Sequence, residues 1–298
     1  MLLRPPSLQA GDTVYILSTA KKISEQEILC AVETYKSWGL NVLIGKTIGA
    51  EQNQFAGPDD LRREDFQYAL DSPNIKAIIC ARGGYGTVRM MDDLNYDGFM
   101  KHPKWIVGFS DITFLHTHIS NNIGTMGLHA QMPIQFERST PEALETLRKE
   151  LFGEKNIYEV APHELNRSGE AQGILIGGNL SILYAITGTR SGINTDRKIL
   201  FLEDLDEYLY HIDRMILNLK RSGKLQGLAG LIVGGFTDMH DNKIPFGKTA
   251  YEIILEAVSD YNFPVCFNFP MGHIEDNRAL VVGKTYKMEV GKDLVKVY

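Results

Sequence analysis

A serine stands directly after a short apolar run in residues 104–113, which read KWIVGFSDIT. The run predicts a buried strand, and Gly108 and Ser110 lie where that strand would turn into a helix. Such a turn can lift a serine hydroxyl clear of a sheet as a nucleophile, with amide N–H groups at the helix start to hold an oxyanion. Because Ile112 occupies the second glycine position of the G-x-S-x-G pattern, the fragment also fits a serine that only caps a helix.

A glycine-rich segment, RGGYG at residues 82–86, follows the apolar run KAIICA. Glycines tolerate positive φ and let backbone amides approach a ligand, so the segment could form an anion nest or one wall of an oxyanion hole. An ordinary tight turn explains it equally well. Its G-x-G order also begins a dinucleotide fingerprint, but Arg89 stands at the third glycine position and the segment does not follow the first predicted strand, so cofactor binding is a weaker interpretation.

An acidic pair and a histidine complete the set of candidates. Glu203 and Asp204 end an apolar run and would lie at the carboxyl end of a strand, where the sites of α/β proteins gather. His273 follows Gly272 in a predicted loop. Taken singly, the carboxylates fit solvated or helix-capping groups and the histidine fits an exposed loop. Taken with Ser110, they occur in the chain order of the α/β-hydrolase triad.

Other side chains give a weak case for a metal centre. Asp238, His240 and Asp241 bring oxygen and nitrogen ligands close together, yet no H-E-x-x-H or C-x-x-C pattern accompanies them. His116 and His118 are two residues apart on a predicted helix and cannot share one face. The sequence therefore predicts no metal site.

The composition excludes several classes of protein. The chain has 298 residues, of which 44% are hydrophobic and 23% charged, and a formal net charge of −6. It can bury a sizeable core, and it lacks the basic patch that nucleic-acid binding needs. No apolar run approaches the roughly 20 residues that cross a bilayer, and residues 1–6 are too short for a secretory signal. With Cys30, Cys80 and Cys266 interpreted as reduced thiols, we expect a soluble, cytoplasmic protein that acts on a small molecule or peptide and contacts neither nucleic acid nor membrane.

Hydrophobic patterning divides the chain into two parts. Residues 1–155 alternate strand-like runs with amphipathic stretches, which predicts an N-terminal α/β domain with a mostly parallel sheet between layers of helices. Residues 156–172 are polar and irregular and form a predicted linker. Residues 173–298 contain short strand candidates and one clear helix, which predicts a smaller, β-rich, barrel-like domain.

The predicted strands are residues 13–19, 41–45, 76–81, 104–108, 198–203, 229–236, 279–283, 285–290 and 294–298. The predicted helices begin at a Ser24–Glu27 capping box, at Asp59, at Thr140 and near Leu209, where a buried stripe ends before Gly223.

Several short motifs occur in a fixed order along the chain. Together they are far more specific for a family than any single motif would be. The chain resembles the LD-carboxypeptidase family of serine peptidases over essentially its full length. The motifs are Pro6-x-Leu8-x-x-Gly11-Asp12, Phe55-Ala56-Gly57, Ala81-Arg82-Gly83-Gly84-Tyr85-Gly86, Pro103-Lys104, Gly108-Phe109-Ser110-Asp111-Ile112-Thr113, Gly177-Gly178-Asn179-Leu180, Leu202-Glu203-Asp204 and Gly272-His273.

The resemblance implies roles for individual residues. Ser110 matches the family's nucleophile, Glu203 its acid and His273 its general base, while the backbone of Gly84 and of Asp111 matches the oxyanion hole. No cofactor and no metal are implied. The resemblance also implies a Rossmann-like or flavodoxin-like N-terminal domain without a dinucleotide, a barrel-like C-terminal domain and a homodimer.

Two positions near the matched site have open roles. The family usually has His-Gly-Pro where this chain has His129-Ala130-Gln131, so the role of that loop is open. Arg82 is a candidate for binding a substrate carboxylate, because a guanidinium pairs well with carboxylates, but it could equally hold its loop.

The substrate implied by the resemblance is a murein tetrapeptide that loses its terminal D-alanine during cell-wall recycling. Within the family, a microcin C immunity-type peptidase acting on aminoacyl nucleotide analogues is the alternative. A two-domain binding protein that does not turn its ligand over is a lower-ranked interpretation, and a nicotinamide oxidoreductase is a third.

Overall fold

A computed structural model describes residues 2–298 of the chain. The chain forms two compact units. The first contains residues 2–155 and Glu275–Val281, and the second contains Asn156–Ile274 and Val282–Tyr298. Residues 156–172, the predicted linker, contain one short strand and the start of a longer one, and they belong to the second unit.

Thirteen strands and eight α-helices make up the described chain. The strands are β1 (Thr13–Leu17), β2 (Asn41–Ile44), β3 (Ile75–Cys80), β4 (Trp105–Gly108), β5 (Gly127–His129), β6 (Tyr158–Val160), β7 (Gly169–Asn179), β8 (Ile199–Leu205), β9 (Gly230–Thr237), β10 (Val265–Cys266), β11 (Leu280–Val282), β12 (Thr285–Val290) and β13 (Val295–Val297). The helices are α1 (Leu29–Ser37), α2 (Asp59–Asp71), α3 (Asp97–Lys101), α4 (Thr113–His118), α5 (Pro141–Phe152), α6 (Leu180–Ala185), α7 (Leu209–Arg221) and α8 (Ala250–Ala257).

The first unit is built on a six-stranded sheet in the order β11-β5-β4-β3-β1-β2. The pairings among β1 to β5 are all parallel. β4 is buried along its whole length and β3 at all but one position, so both faces of these strands are covered. The predicted α/β fold of this part is confirmed.

The predicted helix starts in this unit are also found. Ser24 and Glu27 form reciprocal hydrogen bonds, with the Ser24 N–H donating to the Glu27 carboxylate (2.8 Å) and the Glu27 N–H to the Ser24 hydroxyl (3.4 Å). Thr140 accepts from the Ala143 N–H at the start of α5 (3.2 Å). In the part of the chain that the structure describes, the longest helices have 13 residues, and no helix is long and apolar enough to cross a membrane.

The second unit contains a seven-stranded mixed sheet in the order β10-β9-β8-β7-β12-β13-β6. β7 to β10 pair in parallel, and β7, β12, β13 and β6 pair antiparallel. Arg167, two residues before β7, bridges Val265 in the edge strand β10 with two backbone hydrogen bonds of 3.0 Å. This bridge links β10 back to the start of β7, so the parallel strands β7 to β10 curve into a barrel-like arrangement, and the predicted β-rich second part is confirmed.

Sequence patterning missed five elements of this unit, namely β6, β7, α6, α8 and β10. β7 is the longest strand, but its glycines lower the strand signal. Gly177 adopts φ +141 and lies so close to Phe201 in β8 that a Cβ would overlap the neighbouring backbone. α8 begins with a Thr249–Glu252 capping box, so the S/T-x-x-E signal for it was present in the sequence.

A buried lysine closes the end of α2. The Lys104 ammonium is fully buried and donates to the carbonyls of Ala69 (2.8 Å), Leu70 (3.0 Å) and Ser72 (2.6 Å). Burial, together with the nearby Lys76 charge, lowers the pKa of Lys104 to about 8. Lys104 therefore supplies donors to the carbonyl groups that the helix leaves without partners.

Replacing this lysine by an apolar residue of similar length should destabilise the protein. We expect Lys104→Met to lower the free energy of unfolding by about 2 kcal/mol, because buried carbonyls lose a charged donor. Urea denaturation followed by circular dichroism measures the change. Lys76→Met is the matched control, since the exposed Lys76 donates only to the Pro73 carbonyl (3.0 Å). Equal stability of the two variants would contradict the assigned role.

Candidate active site

The segment that follows β4 forms a sharp turn at Ser110. Phe109 is extended, Ser110 adopts φ +61, and a 3-10 turn then leads into α4. A positive φ is rare for a residue with a side chain and is seen where a site demands it. Ser110 is 9% exposed, and among the described residues its hydroxyl caps no helix N–H. The turn has the geometry of a nucleophile elbow.

Ile112, at the second glycine position of the G-x-S-x-G pattern, packs against the first glycine. A Cβ built on Gly108 would lie 2.9 Å from Ile112 Cγ1 and 3.2 Å from Cys80 Cβ. Ile112 therefore packs directly over the first glycine, which itself needs its open φ of +152.

The glycine-rich segment lies against this turn. A Cβ built on Gly83 would lie 3.2 Å from Ser110 Cβ, 3.3 Å from Ser110 Oγ and 3.4 Å from the Asp111 backbone nitrogen. The backbone at Gly83 thus approaches the serine more closely than most side chains would allow. Gly84 follows at φ +108. The backbone of the glycine-rich segment therefore lies directly beside Ser110 and the Asp111 amide.

A buried polar network fixes the two segments together. The Asp111 carboxylate accepts from the Thr87 N–H (2.9 Å), and Arg62 donates to the carbonyls of Gly86 (2.9 Å) and Thr19 (2.7 Å). Both charged side chains are buried. Burial raises the pKa of Asp111, although the hydrogen bonds from Thr87 and the Arg62 charge oppose that rise. Sequence patterning missed Arg62, because it lies in the charged run DDLRRED, which resembles a solvated helix face.

Arg82 has partners of its own. Its guanidinium donates to the Lys22 carbonyl (3.1 Å) and lies 4.0 Å from the Glu27 carboxylate. These contacts tie the glycine-rich segment to the residues that precede α1.

The second unit brings the predicted acid and histidine together. Glu203 is fully buried, and its Oε2 lies 2.6 Å from His273 Nδ1, while the His273 side chain is 13% exposed. A Cβ built on Gly272, which has φ +100, would lie 2.7 Å from Glu203 Cβ. Gly272 therefore lets the histidine loop close onto β8. The Nδ1 contact leaves Nε2 as the nitrogen that can exchange a proton with a substrate or nucleophile.

Opposing effects determine the protonation of His273. Burial by itself lowers the pKa of His273, but the charge and hydrogen bond of Glu203 and the charge of Asp204 outweigh burial and raise it. Burial and the neighbouring Glu203 charge raise the pKa of Asp204 to about 7. The imidazolium is thus stabilised by two adjacent carboxylates.

Asp204 also anchors the start of α6 to β8. Its carboxylate accepts from the Asn179 side chain, the Ser181 N–H and the Leu205 N–H, each at 2.9 Å. The sequence placed Asp204 beside the acid but held no signal for this bracing role.

The other candidates lie in different surroundings. His129 is fully buried against the Phe109 ring (5.5 Å between centroids), and Gln131, in the loop that departs from the family pattern, donates to the Glu275 carbonyl (3.0 Å). His240 Nε2 lies 2.6 Å from the Asp206 carboxylate. Within residues 2–298 no group of three or more histidine, cysteine and acidic residues is arranged to hold a metal ion.

The cysteines are all free thiols. Cys30 is partly buried, while Cys80 and Cys266 are buried. Burial raises the pKa of Cys266 to about 12 and the pKa of Cys80 still further, so both thiols are poor nucleophiles at neutral pH.

Comparison with known proteins places these features in a family. Residues 14–130 match the LD-carboxypeptidase N-terminal domain, and residues 172–288 match the LD-carboxypeptidase C-terminal domain. A probable murein peptide carboxypeptidase of Bacillus subtilis is 34% identical, over 97% of this chain and 92% of that protein. A murein tetrapeptide carboxypeptidase of Pseudomonas aeruginosa is 27% identical, over 97% of this chain and 98% of that protein.

Solved structures share the fold. The muramoyltetrapeptide carboxypeptidase of Oxalobacter formigenes superposes with a TM-score of 0.87 at 25% identity, covering 96% of this chain and 97% of that one. The microcin C7 self-immunity protein MccF, solved with glutamyl sulfamoyl guanosine, also gives 0.87, at 22% identity and with 100% and 98% coverage, and this likeness concerns the fold alone. The chain belongs to the LD-carboxypeptidase family of serine peptidases and is a serine-type hydrolase.

Proposed function

We propose that this protein hydrolyses the L,D-peptide bond that releases terminal D-alanine from murein tetrapeptides, with Ser110, Glu203 and His273 as its catalytic residues. The observation that carries the proposal is the left-handed turn at Ser110 with the backbone of Gly83 pressed against it. A buried serine held in this strained conformation has a chemical use and no evident packing use. The names of the relatives from B. subtilis and P. aeruginosa support the choice of substrate.

In the proposed reaction Ser110 is made reactive by His273. A serine hydroxyl is a weak nucleophile near pH 7, so neutral His273 takes its proton as Oγ attacks the scissile carbonyl. Glu203, paired with Nδ1, keeps the ring in the tautomer whose Nε2 can accept that proton and then stabilises the imidazolium.

The backbone then stabilises the charge that develops. N–H groups of Gly84 and Asp111 would donate to the tetrahedral oxyanion, each worth roughly 10² to 10³ in rate. His273 returns the proton to the leaving amine, D-alanine departs, and an acyl-enzyme remains on Ser110. Water, deprotonated by the same histidine, releases the shortened peptide.

Location and assembly form part of the proposal. A murein tripeptide product is a fragment fit for re-use, so we place the reaction in cell-wall recycling in the cytoplasm. We also propose that the protein works as a homodimer, as the family resemblance implies.

Product analysis tests the reaction and the nucleophile together. We expect the wild type to convert a murein tetrapeptide to the tripeptide and D-alanine, with tri- and pentapeptides poor substrates, as measured by mass spectrometry. Ser110→Ala should lower kcat by about 10³ or more, because the nucleophile is gone. Ser120→Ala, at a second buried serine in the same unit, is the control and should keep activity. Ser110→Ala with normal turnover would rule out the proposed chemistry.

The same assay separates the alternatives. An aminoacyl sulfamoyl nucleoside included in the panel and cleaved in preference to the tetrapeptide would favour the microcin C immunity-type function. Tight binding of the tetrapeptide without turnover by the wild type would favour the non-catalytic binding protein.

The rate should depend on pH through His273. Because the base must be neutral, kcat/KM rises with pH through the pKa of His273 in the free enzyme. Glu203→Gln removes the largest influence that raises this pKa and leaves burial, which lowers it, so the rising limb should move to lower pH. The maximum rate should fall by about 10² to 10⁴ as the ring loses its orientation. A pH profile of kcat/KM on the tetrapeptide measures both effects.

A second glutamate–histidine pair provides the control for this experiment. Glu207 lies 2.6 Å from His211 in the same unit, and Glu207→Gln should leave the limb in place. A limb that stays fixed, or moves to higher pH, in Glu203→Gln would contradict the pairing of Glu203 with the catalytic base.

Asp204 should influence the same profile more weakly. In Asp204→Asn the carboxylate charge that helps to raise the pKa of His273 is lost, so the limb should shift to lower pH by less than in Glu203→Gln. Thermal melting should also fall, because an amide cannot accept all three hydrogen bonds. The exposed Asp206→Asn serves as control. An unchanged pH limb would restrict Asp204 to a structural role.

A further inference from the structure

The side chain of Lys21 lies across the glycine-rich segment next to the candidate nucleophile. A Cβ built on Gly84 would lie 2.6 Å from Lys21 Cδ, 2.8 Å from Cε and 2.9 Å from Cγ, so the aliphatic stem covers this glycine. Gly83, the preceding residue, contacts Ser110. The Lys21 ammonium, one bond beyond Cε, is therefore carried to the loop that forms the wall of the candidate active site.

The backbone at Lys21 is held in position. Its N–H donates to the Gly83 carbonyl (3.4 Å), and its carbonyl accepts from the Ser18 hydroxyl (2.7 Å). An isolated bridge pairs it with Phe55. The position of the stem is thus set by the fold, while the ammonium end keeps the freedom of a lysine.

Lys21 differs from the neighbouring cations in having no anionic partner. Lys22 pairs with Glu51 (2.9 Å), Arg82 lies 4.0 Å from Glu27, and Arg89 pairs with Asp59 (2.6 Å). Within residues 2–298 no carboxylate lies at ion-pair distance from Lys21, which is only partly exposed. A half-buried cation without a partner beside a reaction centre is suited to an anionic ligand.

We propose that the Lys21 ammonium binds the free carboxylate of the residue that is released, and so makes the enzyme a carboxypeptidase rather than an endopeptidase. This inference rests on the proposed function. In a C-terminal residue the carboxylate carbon is two bonds from the scissile nitrogen, so a cation that recognises it must lie next to the nucleophile. Arg82 is less suited to this role, since it already contacts the Lys22 carbonyl and the Glu27 carboxylate.

The test compares a murein tetrapeptide with its C-terminal amide, which differs only in the charge recognised. The wild type should prefer the acid. In Lys21→Met, kcat/KM for the acid should fall about 10- to 100-fold, the usual effect of losing a hydrogen bond to a charged group, while kcat/KM for the amide should change little. Lys21→Arg should keep the preference, since it restores the charge. Lys22→Met, which removes the same charge one residue away, is the matched control and should behave as the wild type.

A binding measurement makes the result independent of turnover. In the Ser110→Ala background, titration calorimetry should show tighter binding of the acid than of the amide, and adding Lys21→Met should remove most of that difference. If the wild type cleaves neither peptide, the proposed function fails. If it cleaves acid and amide equally, or if Arg82→Met but not Lys21→Met abolishes the preference, the assignment of Lys21 is overturned while the peptidase function stands.

Discussion

Holding a serine at φ +61 costs about 1 to 3 kcal/mol relative to ordinary backbone, so the surrounding chain must impose this conformation. It does so from two sides. Ile112 packs over Gly108 and fixes the start of α4, and the backbone at Gly83 closes the space beside the serine. α4 is buried at every position, so the turn cannot relax by moving the helix. The strained turn and the glycine-rich loop therefore constrain each other's position.

Two buried charged side chains connect the turn at Ser110 and the glycine-rich loop to the rest of the first unit. Arg62 and Asp111 bind the loop at Gly86 and Thr87, and their hydrogen bonds go to backbone groups that would otherwise be buried without partners. Removing either side chain would leave an unmatched charge or carbonyl in the interior. The network keeps the backbone of the loop close to Ser110, which the proposed stabilisation of an oxyanion requires.

In the second unit, too, a glycine allows two segments to approach closely enough to bring polar side chains together. Gly272 lets a loop approach β8 so closely that His273 meets Glu203, and Asp204 ties β8 to the start of α6. Burial favours neutral imidazole and the two carboxylates favour imidazolium. The general base proposed here would need this balance, because it must be neutral before attack and must hold the transferred proton briefly afterwards.

Much of the architecture was present in local sequence. Unbroken apolar runs such as 76–81 determined strands covered on both faces, and the Ser24–Glu27 and Thr140 signals determined helix starts, because propensity and capping act over a few residues. The order of Ser110, Glu203 and His273 and the motifs around them determined the family. β7 was hidden because its glycines are required by contact with β8, which lies more than 20 residues further along the chain.

Tertiary structure alone decided the surroundings of the site. Nothing local distinguishes Arg62 from the solvated charges beside it, or Lys21 from Lys22, since burial and pairing depend on distant segments folding over them. The same holds for the pKa of His273, which depends on carboxylates some 70 residues away in sequence. Sequence thus determined which groups can react, and the packing of distant segments decided their charge, strain and partners.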